Sequence, residues 1–126
     1  MLKQVAYIFG IVLIVIGILG FVPAANPGGL LLGFFHVNDI HNYIHIVSGL
    51  AAVGAAYYDR DNFTPKVFFQ VFGVIYAVMA LLGLYYGNAP IFGVIANNMA
   101  DVGLHVVISV VSLYLGFLFK EDFRRT

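Results

Sequence analysis

The chain has 126 residues, 62% of them hydrophobic and only 10% charged, with a mean hydropathy of +0.97 and a formal net charge of zero. That balance lies far outside the range of soluble globular domains and marks an integral membrane protein. There is no cysteine, which excludes disulfides, thiolate metal sites and iron–sulfur clusters, and the six Lys and Arg form no basic patch beyond the ends of apolar stretches, which argues against a nucleic-acid partner.

Four apolar stretches approach the roughly 20 residues that a helix needs to cross about 30 Å of hydrocarbon. The first covers residues 5–22 and carries Gly10, Gly17 and Gly20. Lys3, the apolar run and Val22-Pro23-Ala24 also fit a cleavable signal peptide. Against cleavage, Phe9, Gly10, Val15, Leu19 and Gly20 recur 63 residues on as Phe72, Gly73, Val78, Leu82 and Gly83. The second stretch, 40–58, follows a loop over 23–39 and is rich in small residues from Ser48 to Ala56. A tight turn over 59–66 leads to the third, 67–86, with Thr64-Pro65 predicted as its cap and first residue. A second outer loop, 87–98, precedes the fourth stretch, 99–119.

The expected fold is therefore all-α: a single domain of residues 1–126 with four transmembrane helices in an up-down bundle. Two tandem helical hairpins, about 1–60 and 64–120, compose it. Lipid provides no hydrophobic drive between helices, so the glycines and alanines are expected at helix contacts within the chain or between copies of it. Lys3, Arg60, Lys66, Lys120, Arg124 and Arg125 all fall on one side, which the positive-inside rule makes cytoplasmic. Both termini are then cytoplasmic and both longer loops face outward. Asn62-Phe63-Thr64 has glycosylation spacing but falls on the cytoplasmic side.

The chemistry is concentrated where the second and fourth helices begin. A shift of 60 residues lays His45 on His105, Asn38 on Asn98 and Gly33 on Gly93, with His41 falling on Asp101. Residues four apart share a helical face, so His41 with His45 and Asp101 with His105 form two pairs of donors. Together they make a tetrahedral nitrogen and oxygen set of the kind zinc takes. The expected site is zinc or another divalent metal held by His41, His45, Asp101 and His105 near the outer face. His36, Asn42, Tyr43 and Asn97 stand nearby as supporting partners or an extra ligand.

Other readings account for part of this pattern. Asn38 and Asn98 suit N-caps, and an acidic residue in the first turn serves as a capping partner, which explains Asp39 and Asp101 as well as ligation does. Capping does not explain His45 and His105, one turn deeper, where polar groups are costly and need partners. Those partners are a metal, each other in a hydrogen-bonded clamp, or, less favoured, a haem held axially by the two. Three roles remain open: a metal-binding membrane module, a zinc-dependent membrane hydrolase assisted by Ser48 or Asp101, and a non-catalytic accessory subunit of a larger membrane complex. A closed four-ligand shell leans away from an enzyme. Transport is disfavoured, because below His45 and His105 the two helices carry only serines and tyrosines as polar groups.

The segment Leu32-Gly33-Phe34-Phe35-His36-Val37-Asn38, the pattern Asn38-x-x-His41-Asn42-x-x-His45 and the pattern Asn98-x-x-Asp101-x-x-x-His105 resemble those of a family of small bacterial membrane proteins, domain of unknown function 4383. The resemblance covers nearly the whole chain. It implies a four-helix multi-pass protein of the bacterial cytoplasmic membrane and transfers no activity.

Overall fold

A computed structural model describes residues 1–59, 61 and 63–120. Among the described residues there are four α-helices: α1 (Leu2–Leu19), α2 (Asp39–Tyr57), α3 (Phe63–Tyr86) and α4 (Met99–Leu113), the last continuing into a π-helical turn, Tyr114–Leu118. α3 starts at Phe63, so Pro65 sits inside its first turn, where the missing N–H has no helical partner to lose. Arg60, Asn62, Arg124 and Arg125 lie outside the described residues.

Glycines set how closely the helices approach. α1 and α2 run antiparallel with Gly10 against Gly49: a Cβ on either would lie 2.6 or 2.5 Å from the other's carbonyl oxygen. Gly17 meets Asn42 and Ile46 further along the same contact. α3 and α4 pack in the same manner, with Gly73 against Leu113 and Gly83 against Val102 and Asn97. Backbones this close gain the dispersion contacts that hold helices together in lipid. At the π-helical turn, Gly116 abuts the Gln70 backbone and its carbonyl accepts a 2.9 Å hydrogen bond from Gln70 Nε2.

An apolar cluster of Leu2, Ala52, Ala56, Phe68, Phe69 and Leu115 gathers the start of α1, the end of α2, the start of α3 and the end of α4. Lys3, Lys66 and Lys120 therefore share one end of the molecule, and the caps of α2 and α4 lie at the other. The outer faces are apolar: Ile8, Ile11, Val15 and Ile18 on α1 and Val71, Val74, Val78 and Leu81 on α3 are all exposed. Faces of this kind are stable only against lipid or a partner.

Two features of the expected fold are corrected. Among the described residues, only three helices, Leu2–Leu19, Phe63–Tyr86 and Met99–Leu118, are long and apolar enough to cross a membrane. α2 has 19 residues, so it falls short in apolarity rather than length. Its first two turns carry Asp39, His41, Asn42, Tyr43 and His45. Nor do the elements repeat as two matched hairpins. The first connection holds two 3₁₀ turns and a ribbon of β1 (Leu30–Leu31) with β2 (Phe35–His36), whereas the second has a single bridge, Ile91 to Ile95. α1 and α3 differ in length, 18 against 24 residues, and only α4 continues into a π-helical turn. The contacts each connection must make differ, so similar residues are used in dissimilar elements.

Candidate metal centre

Asparagines build the end of the molecule that carries the histidines. Asn38 Oδ1 accepts the His41 N–H at 3.0 Å and Asn98 Oδ1 accepts the Asp101 N–H at 3.0 Å, which caps α2 and α4. Each cap's side-chain amide then crosses to the opposite connection: Asn38 Nδ2 donates to the Val94 carbonyl and Asn98 Nδ2 to the Phe34 carbonyl, both at 2.8 Å. The two helix starts are thus locked to each other's loops. Asn26 and Asn97 tie down the preceding helix ends, Asn26 Nδ2 donating to Gly20 O and Asn97 Nδ2 to Gly83 O and Gly87 O. Carbonyls at the helix C-termini are satisfied in this way by side-chain amides.

Inside this frame His41, His45 and His105 converge, all 2 to 3% exposed. One ring nitrogen from each lies within 4.8 Å of the others. Ring centroids are 4.6 Å apart for His41 and His45, 5.8 Å for His41 and His105, and 6.4 Å for His45 and His105. His41 Nδ1 lies 2.9 Å from the Ala96 carbonyl, which can only accept, so Nδ1 carries the proton and Nε2 presents a lone pair. His41 Nε2, both nitrogens of His45 and Nδ1 of His105 are buried with no hydrogen-bond partner. The three rings face one another without bonding to one another.

Asp101 is 1% exposed and stands apart from this trio. Its Oδ2 accepts the Asn98 N–H at 3.0 Å, completing a capping box on α4. With His45 it borders a small cavity of about 100 Å³. His36 lies in β2, half-buried, and its backbone amide faces the Asp101 carboxylate. Tyr43 is turned outward against Phe21. Asn42 is buried beside Gly20, with neither side-chain atom bonded.

A larger cavity of about 250 Å³ adjoins the histidines between α2 and α3. Ile44, Ser48, Ile75, Tyr76, Met79 and Ile95 line the rest of it. The Tyr76 ring lies 5.6 Å from that of His105, and its buried hydroxyl faces Ser48 without a hydrogen bond of good geometry. Tyr76 and the Ala96 carbonyl were not evident from sequence. The signal for Tyr76 is its depth: it sits near the middle of α3, whereas interfacial tyrosines cluster at helix ends. Nothing in the sequence marks a backbone carbonyl as a histidine partner.

Together these features define a multi-pass helical membrane protein with a buried three-histidine cluster at one end. Residues 3–118 match the family model described as Domain of unknown function (DUF4383), and the chain belongs to that family. No curated protein and no solved structure matches it.

Proposed function

We propose that the protein binds one divalent transition-metal ion, zinc in the first instance, through His41, His45 and His105, with Asp101 as a nearby compensating charge. One observation supports this above the others: the three buried imidazoles bring one ring nitrogen each within 4.8 Å of one another, and four of their nitrogens have no hydrogen-bond partner. A polar clamp would have them bonded to each other, since each buried polar group left unpaired costs about 1–3 kcal/mol. A shared metal ion takes one nitrogen from each ring and relieves that cost there. The Ala96 carbonyl fulfils the supporting role common for metal-bound histidine, fixing the tautomer and ring orientation from the far nitrogen. The His41 ring packs against both of the others, which favours a single ion over a haem held between His45 and His105.

Three protein ligands beside a cavity suit a site with an exchangeable fourth position, as zinc sites that bind small molecules or activate water have. Ser48 and Tyr76 border that position, so a hydrolytic role is the second reading. The end bearing Lys3, Lys66 and Lys120 faces the cytoplasm by the positive-inside rule, with the histidines toward the outer face of a bacterial cytoplasmic membrane. The chain acts as one domain.

Elemental analysis of protein purified without a metal-binding tag tests the reading. About one zinc per chain is expected, absent from a His45→Ala, His105→Ala variant that still folds by circular dichroism. An equal metal content in the two, or none in either after zinc is supplied, overturns it.

A further inference from the structure

The cavity beside the histidines lies between α2 and α3, which touch each other far less than α1 touches α2 or α3 touches α4. α2 contributes Ile44 and Ser48 and α3 contributes Ile75 and Met79, while the α1 to α2 and α3 to α4 contacts are close and glycine-lined. Ile75 is 45% exposed on the lipid-facing side of α3. Ile44 and Ser48 also belong to an open groove on α2 with Ile40, Tyr43 and Val47, all three exposed. The cavity therefore has an exposed lining residue, Ile75, on the flank between α2 and α3, and shares Ile44 and Ser48 with the apolar groove on α2, so an aliphatic chain has a continuous apolar path along it. Its wall is aliphatic and its inner end polar, with three histidines and the unpartnered Tyr76 hydroxyl.

Charge narrows what such a cavity accepts. Three neutral imidazoles leave a divalent ion with its full charge in a low-dielectric site, where an uncompensated charge is costly. Among the described residues Asp101 is the one buried carboxylate, and it offsets a single charge. The second must come from a ligand on the open position. A neutral or cationic head leaves the deficit, and a small soluble anion leaves the aliphatic wall uncovered.

Resting on the metal reading, we infer that the cavity takes an aliphatic carboxylate of the fatty-acid class from within the bilayer. The carboxylate completes the metal's coordination and the chain lies along Ile44, Ile75 and Met79 toward the opening. Tyr76 donates its hydroxyl proton to the carboxylate oxygen that the metal does not hold.

Cobalt(II)-loaded protein in lipid nanodiscs tests this, because cobalt's visible absorption reports its ligands. Dodecanoate is expected to shift the spectrum saturably, and dodecanol and acetate at the same concentration are expected to leave it unchanged. Ile75→Trp, which places a large ring at the exposed mouth, should weaken dodecanoate about tenfold while keeping one cobalt per chain. Met79→Phe, deeper in the same wall, gives the same expectation with a smaller change of shape. Cobalt bound at one per chain with no response to dodecanoate, or with an equal response to acetate, overturns the inference and leaves the metal reading standing. Failure to bind cobalt overturns both.

Discussion

His45 presents two buried nitrogens with no partner, and that makes it the residue at which a metal site and a polar clamp give opposite results. Chelator-treated protein should tolerate His45→Leu within about 1 kcal/mol, because an unpaired imidazole contributes no hydrogen bond and carries a desolvation cost. With zinc present, the same substitution should abolish the whole metal-dependent gain in stability. Unfolding followed by circular dichroism, with and without zinc, reads both arms. A large loss in the chelator-treated form would identify a clamp. Asp101 is resolved by a milder change. Asp101→Asn keeps an oxygen for the Asn98 N–H and should retain metal at one per chain, whereas Asp101→Ala removes half of the capping box and should cost about 1 kcal/mol. Loss of metal from Asp101→Asn would make the carboxylate a ligand.

The histidine spacing was legible in the sequence because residues four apart share a face whatever the fold does elsewhere. The two caps were legible for the same reason, as Asn38 and Asn98 act on N–H groups three residues on. Asp101 stayed ambiguous: one carboxylate fits a cap and a ligand equally until its distances are known. The bond from His41 to Ala96 spans 55 residues, and no local period encodes such a contact.

At the scale of elements, the approach of α1 to α2 depends on two glycines that face each other. Gly49→Ala would press a methyl group onto the Gly10 carbonyl and should destabilise by about 1–3 kcal/mol. Gly54, in the same helix, has nothing within 4 Å of a Cβ, and Gly54→Ala should be neutral or stabilising by up to about 1 kcal/mol. Denaturant titration in one detergent compares the two, and similar losses would remove the contact as the cause. The apolar runs located all four helices, yet they did not distinguish a span from a helix of spanning length. In α2 the polar residues that mark the site also lower the hydropathy of the element bearing them, so one set of residues governs both.

For the whole molecule, zinc and protons should act in opposite senses. An ion that binds only the folded chain raises stability by RT ln(1 + [L]/Kd), about 4 kcal/mol at a thousandfold excess over Kd. Imidazoles must be unprotonated to ligate, so acidification should release zinc and return the melting temperature to that of the chelator-treated protein. A melting temperature unmoved by zinc at neutral pH, or occupancy undiminished at pH 4, would count against a histidine-held ion. Membrane insertion selects segments one at a time by apolarity, and α1, α3 and α4 qualify alone whereas α2 does not. The helix bearing two of the three histidines therefore relies on its neighbours, chiefly the glycine face of α1, to sit among lipid-competent helices. On the proposed metal reading, the site is complete only where this polar helix has docked against the lipid-competent ones, so its assembly depends on them.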